Sequence, residues 1–315
     1  MSKSYDSICC FRGSDNSTDK RLLWEITTAC NLSCGFCHRT SEIILGPSIS
    51  QINEVVPLLK RIGIKEIIIS GGEPFLRTDI FDILSLLKKE GFSVDLCTNG
   101  TLITNEIAIK LSKVLNEISV SIDSFIPAKH DLLREQSGAW KATVLGIQEL
   151  IKNNLSVHSI SIVNKSTISY INLTVEFLYE LGVSSIAFIG NIPIGTGNNY
   201  LTSDDNQKKL KKIFKNLRNS FPNISINTKE LIKDSTMNSC MAGEIIYGLD
   251  VNMIFKPCIL HGKAGGIDLK IKKNLTIDVI SKLKEIKRKV IDNSGIGQGF
   301  CPGSCLLNAT QNEIE

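Results

Sequence analysis

Three cysteines within eight residues, Cys30-Asn-Leu-Ser-Cys34-Gly-Phe-Cys37, follow directly on the apolar run Leu22 to Ile26. The loop leaving one strand therefore carries three soft thiols, and whatever the chain folds into must keep that loop beside the object they hold. Thiolates of this kind favour iron–sulfur clusters, zinc or copper, and a four-iron cluster takes one ligand per iron, so three cysteines would leave one iron open. A zinc knuckle completed by His38, a redox pair, or buried apolar cysteines are the other readings of the same residues.

A second stretch narrows the choice. Ile67-Ile68-Ile69-Ser70-Gly71-Gly72-Glu73-Pro74 reads as a buried strand running into two glycines and a carboxylate. The glycines remove side chains and let backbone approach a ligand closely, and Glu73 can accept from an ammonium. An open iron beside an amine acceptor suits an amino acid ligand.

Together these motifs resemble the radical S-adenosylmethionine (radical SAM) family, whose hallmark is C-x3-C-x2-C with an aromatic, here Phe36, before the last cysteine, and whose second strand is followed by a GGEP-type turn. The resemblance implies a [4Fe-4S] cluster on Cys30, Cys34 and Cys37, with S-adenosylmethionine chelating the fourth iron through its amine and carboxylate. One electron would then cleave S-adenosylmethionine to methionine and a 5'-deoxyadenosyl radical that abstracts hydrogen from a substrate. The reductant implied is a flavodoxin or ferredoxin.

Strand candidates at Leu22 to Thr27, Glu66 to Ser70, Ser93 to Thr98, Glu117 to Asp123, His158 to Val163 and Ser185 to Asn191 alternate with amphipathic stretches, several ending at glycine (Gly63, Gly91, Gly182). Strand, crossover helix and parallel strand repeated in this way predict an α/β fold, a partial (βα)6 TIM-like barrel. Ser119, Ser121 and Asp123, then Ser159 and Ser161, then Ser93, Asp95 and Cys97 alternate with apolar neighbours. If helices cover the apolar face, these polar sets point inward and the interior is a wet cavity.

The expected organisation is a tail over 1–20, the barrel over 21–200, and over 201–315 a linker helix with a small hairpin-and-helix domain. Two apolar runs about Asp250 to Asn252 predict a hairpin with Cys240 and Cys258 at its ends, and Cys301 and Cys305 flank a Pro-Gly loop. Four thiols there would make a closed site, a second cluster or structural zinc. This part resembles the SPASM and twitch extensions of radical SAM enzymes, with Ile192-Pro-Ile-Gly195-Thr-Gly197 as the bridge, and implies one auxiliary [4Fe-4S] cluster on Cys240, Cys258, Cys301 and Cys305. The glycine of that family's hairpin, five residues before the second cysteine, is Met253 here. Cys9 or Cys10 is a further candidate ligand.

By the same resemblance Phe36, Gly71, Gly72, Glu73, the Thr98-Asn99-Gly100 segment, Ser121, Asp123 and Arg134 lie against S-adenosylmethionine. Cys97, inward by parity, would be a hydrogen-atom donor to a substrate radical, or a small buried hydrophobe. His38 would tune the cluster or sit at the surface.

With 36 Lys and Arg against 32 Asp and Glu, the formal charge is +4. Two ligated clusters would add about −3 by formal counting, leaving the balance near neutral. No basic stripe interleaved with aromatics accompanies it, so a nucleic-acid partner is not expected. The polar first twenty residues and the lack of a long apolar run predict a cytoplasmic protein without a membrane segment. The activity expected is that of a radical SAM oxidoreductase or peptide maturase that crosslinks, oxidises or epimerises a ribosomally made peptide. The alternatives are a small-molecule radical SAM oxidase in cofactor, haem or antibiotic biosynthesis and, from another class, a zinc-stabilised non-catalytic binding protein.

Overall fold

The computed structural model describes residues 19–37, 42–164, 166–190, 204–228, 242–259, 266–271 and 278–294. The expectations placed on Cys9, Cys10, His38, the 192–197 bridge, Cys240, Cys301 and Cys305 lie outside them. The described residues form two compact units, one of 32–37 with 97–228 and one of 19–31 with 42–96 and 242–294.

In the second of these, β1 (Lys20–Glu25), β2 (Ile64–Ser70) and β3 (Ser93–Thr98) lie parallel, with α1 (Ile49–Arg61) and α2 (Ile80–Lys89) as crossovers. α1 starts at a reciprocal capping box between Ser48 and Gln51, which satisfies two otherwise orphaned amides. The expected hairpin is present as β8 (Ile246–Leu249) and β9 (Ile254–Lys256), antiparallel, with β10 (Ile267–Asp268) antiparallel to β9. Its place was not foreseen. β8 pairs parallel with β1, Arg21 to Trp24 lying opposite Ile246 to Leu249, so the order is β10-β9-β8-β1-β2-β3. Met253 takes a left-handed backbone (φ 65°) at the turn although it is not glycine, held by its amide on Asp250 O at 2.9 Å and by burial of its side chain.

In the other unit β4 (Glu117–Ser121), β5 (Ser156–Val163), β6 (Ser185–Gly190) and β7 (Ser225–Asn227) continue in parallel from Cys97 and Thr98 of β3. Their crossovers include α3 (Asn105–Ser112), α5 (Ala139–Lys152), α6 (Ile171–Glu180) and the lysine-rich α7 (Asp204–Ser220); α8 (Val279–Ser294) belongs to the unit that holds β1 and β2. The alternation of β1 to β6 with helices agrees with the expected α/β fold, and β7 adds a seventh parallel strand.

An additional helix, α4 (Pro127–Arg134), stands between β4 and α5 where the periodicity had suggested none. Its signal was Pro127, pre-set for the first turn of a helix. Asp131 then receives the amides of Gly138 and Trp140, both at 2.7 Å, and joins α4 to α5.

The polar parity needs correction. Cys97 pairs with Ser119, and Ser119 and Ser121 with His158 and Ile160, so these share one face. Ser159 and Ser161 pair with Val120 and Phe188 and lie on the opposite, fully buried face. Their small size admits them there, and the Ser161 hydroxyl donates to Ile122 O at 2.5 Å. β5 therefore presents His158, Ile160 and Ile162, rather than two serines, beside Ser121. β3 follows the expected alternation, with Asp95 and Cys97 half-buried between buried Val94, Leu96 and Thr98.

Candidate active site

The turn after β2 is tied to the start of the cysteine loop by a backbone ladder. The Ile26 amide donates to Ser70 O (3.1 Å), Gly72 to Thr27 O (2.7 Å) and Glu73 to Ala29 O (2.7 Å). This ladder explains the glycine pair. A Cβ on Gly71 would lie 2.3 Å from Thr27 O, and one on Gly72 would lie 2.1 Å from Ala29 O. The missing side chains thus admit the chain that leads into Cys30. Glu73 is fully buried, and its carboxylate Oε1 accepts from the Phe75 amide at 3.2 Å.

The far end of the loop is tied back as well. Thr28 donates its amide to Ile44 O and its hydroxyl to Glu42 O, and its oxygen accepts from the Ile44 amide. Arg77 then spans both ends, donating to Ile26 O (2.9 Å), Leu45 O (2.6 Å) and Pro47 O (2.9 Å) while Asp79 fixes its other edge. This residue drew no attention in the sequence; a lone arginine after a proline turn has no pattern, and its importance is a matter of three distant carbonyls.

Cys34, Gly35, Phe36 and Cys37 form a tight turn, with the Cys37 amide on Cys34 O at 3.0 Å. The end of α4 supports it. Arg134 Nη1 lies 4.0 Å from Cys34 Sγ, the guanidinium sits 5.0 Å over the Phe36 ring, and an added Cβ on Gly35 would meet the Glu135 carboxylate at 2.6 Å. Arg134 is in turn gripped by Asp123, Nε to Oδ2 at 2.7 Å and Nη2 to Oδ1 at 2.9 Å. The Ile162 amide also donates to Asp123 (3.0 Å), and His130 Nδ1 accepts the Asp123 amide at 3.2 Å.

Burial alone would push the Asp123 carboxyl up, but the Arg134 guanidinium holds it below the usual range. Burial likewise works against the charge on Arg134, and the carboxylate of Asp123 more than offsets it. The Cys34 thiol is pushed up by burial, partly countered by Arg134.

The buried carboxylate of Asp123, expected against S-adenosylmethionine, orients Arg134. Asn99 is nearly buried and its side-chain oxygen accepts from the amide (2.9 Å) and hydroxyl (2.6 Å) of Thr101, shaping the turn after β3. Ser121 and Cys97 are half-buried on the same face. None of Cys30, Cys34, Cys37, Cys97 and Cys258 is in a disulfide.

The radical SAM superfamily profile matches residues 24–178, which contain the cysteine loop, the glycine turn and the α4 cation. Residues 24–178 form a radical SAM superfamily domain. The chain is 34% identical over 181 residues to the AdoMet-dependent heme synthase of Methanosarcina barkeri, covering 56% of this chain and 52% of that one. It is 33% identical over 199 residues to a probable GTP 3',8-cyclase of Sulfurisphaera tokodaii, covering 60% and 62%. The chain thus spans between half and two thirds of these relatives' lengths. Among solved structures it resembles SuiB of Streptococcus suis bound to the precursor peptide SuiA (TM-score 0.68, 16% identity, 84% of this chain, 64% of that one). It also resembles anSMEcpe with bound AdoMet and a peptide (TM-score 0.66, 20% identity, 84% and 81%). At that identity the likeness establishes the fold, the partial barrel of radical SAM enzymes.

Radical SAM proteins use a [4Fe-4S] cluster and S-adenosylmethionine, and the residues present fit them. Cys30, Cys34 and Cys37 stand on one loop, Arg134 Nη1 lies 4.0 Å from the middle sulfur, and the ladder from Gly71 to Glu73 holds the residues before the first; among the described residues no three potential ligands close on a single metal ion, which a four-iron cluster with one thiolate per iron does not require. No helix among the described residues is long and apolar enough to cross a membrane.

Proposed function

We propose that this radical SAM enzyme cleaves S-adenosylmethionine reductively and abstracts hydrogen from a ribosomally synthesised peptide, using Cys30, Cys34 and Cys37 as cluster ligands. The observation carrying this reading is the ladder that joins the Gly71-Gly72-Glu73 turn to the residues preceding Cys30. Bound there, the cluster and S-adenosylmethionine supply a one-electron cleavage whose product removes a hydrogen atom from the substrate. The chain's own contribution is positional. Arg77 and Thr28 hold the two ends of the loop, and Asp123 orients Arg134 at Cys34. Phe36 lies under the Arg134 cation, while Ser121, Asn99 and Glu73 are the polar groups assigned to S-adenosylmethionine.

The peptide substrate is favoured by the bound partners of the solved structures that the chain resembles, a precursor peptide in SuiB and a peptide in anSMEcpe. The names of the curated relatives favour a second reading, a small-molecule substrate such as a tetrapyrrole or a nucleotide. An auxiliary cluster on Cys240, Cys258, Cys301 and Cys305 agrees with the packing of Gly243 against Pro257, an added Cβ lying 3.2 Å from the proline ring, next to the buried Cys258. The reductant assigned is a flavodoxin or ferredoxin.

Anaerobic reconstitution tests the proposal. A brown protein with about eight iron and eight sulfide per chain, as two four-iron clusters require, is expected to form 5'-deoxyadenosine with dithionite. A colourless zinc protein overturns the enzyme reading. Incubation with short peptides encoded beside the gene, against GTP and iron porphyrins, separates the substrates: loss of hydrogens from a peptide marks oxidation or crosslinking, and inversion without mass change marks epimerisation, for which Cys97 is the assigned donor.

A further inference from the structure

The contact between Arg134 and Cys34 has a construction that S-adenosylmethionine binding alone does not require. The guanidinium is almost fully buried and is held at three places: two hydrogen bonds to Asp123, the Phe36 ring beneath it, and the Cys34 sulfur at 4.0 Å. Asp123 has no exposed side-chain surface. Its carboxylate sits on the Nε and Nη2 edge, so the Nη1 edge is turned toward sulfur. A freely moving lysine would be cheaper if only an average positive charge were needed, whereas this arrangement delivers one oriented donor to one sulfur.

We propose that Arg134 is a positioning residue that raises the reduction potential of the catalytic cluster by donating a charge-assisted hydrogen bond to the Cys34 thiolate, with Asp123 and Phe36 keeping it in place. The inference rests on Cys34 being a cluster ligand. Reduction adds one negative charge to the cluster, and hydrogen bonds to its sulfurs and nearby charge are among the levers that set its potential. A donor aimed at a ligating sulfur withdraws electron density and stabilises the reduced form. Burial strengthens the effect, because little water is present to screen it.

The test is an EPR-monitored redox titration of the reconstituted holoenzyme without S-adenosylmethionine or substrate. The catalytic cluster is identified as the signal that changes when S-adenosylmethionine is later added. Arg134→Gln is expected to disfavour reduction about tenfold, a fall of about 59 mV for a one-electron couple. Arg134→Lys, which keeps the charge and loses the fork, should fall by less. If Arg134→Gln fails to take up iron, Phe36→Leu and Arg134→Lys carry the test, and both should shift downward. Wild-type potentials in the iron-loaded variants, with only weaker S-adenosylmethionine binding, overturn the proposal and assign Arg134 to S-adenosylmethionine. Because no substrate is present, failure of the peptide reading leaves this measurement untouched.

Discussion

Glu73 donates its backbone amide to the carbonyl of Ala29 at 2.7 Å, one residue before the first cysteine of the motif. An added Cβ on Gly72 would stand 2.1 Å from that same oxygen. Gly72→Ala is therefore expected to push the two segments apart at a cost of about 1–3 kcal/mol. Iron content after reconstitution should drop well below wild type, and a variant that loads fully and forms 5'-deoxyadenosine at the normal rate would contradict the role given to the ladder.

Arg77 serves the carbonyls of Ile26, Leu45 and Pro47 from one buried guanidinium. Replacing it with methionine withdraws those donors, and each carbonyl left unsatisfied costs about 1–3 kcal/mol. Chemical denaturation should show the loss. Hydrogen exchange should show faster opening at the Thr28 and Ile44 amides, which pair across the same loop ends.

Met253 holds the hairpin turn at φ 65° with a side chain that is only 1% exposed. Glycine at this position would relieve about 1–2 kcal/mol of left-handed strain. It would also empty a buried site, at a cost of about 2–5 kcal/mol. The expected balance for Met253→Gly is destabilisation, measured as a lower denaturation midpoint, so the backbone alone does not decide what this turn prefers.

His158 is buried between Ser185, whose hydroxyl lies 2.6 Å from Nδ1, and Glu117, 3.7 Å from Nε2. Burial pushes its ring down from 6.5 to about 4. In that interval the unfolded chain binds a proton that the folded chain refuses. The associated stability is complete above pH 6.5 and is lost as the pH falls toward 4. Denaturation should show about 1 kcal/mol less stability at about pH 5.5 than at about pH 7.5 from this group, and His158→Gln should flatten that slope.

The chemistry of the site was legible because it resides in local spacing: three cysteines, a glycine pair and a glutamate each announce themselves within a few residues. The strands and most helices were legible because apolar periodicity survives in the core. What escaped depended on partners far apart in the chain. Ser159 and Ser161 looked inward by analogy with Ser119 and Ser121, but alternation gives only relative parity, and the register against β4 reverses it. Nothing local shows that Arg134, eleven residues on, folds back over Asp123. Arg77 was invisible for the same reason, as was the close approach of Thr27 and Ala29 to Gly71 and Gly72.

The parallel pairing of β8 with β1 gives the segment beyond residue 242 a duty toward the first cysteine. β1 has a neighbour on each side, β2 and β8, and β8 arrives more than two hundred positions later in the chain. The cysteine loop thus hangs from a beam whose second support is delivered late. During synthesis Arg21 to Trp24 keep an unmated edge until that late strand docks, and a version trimmed of its C-terminal third would be left with the same bare rim where it can least tolerate fraying.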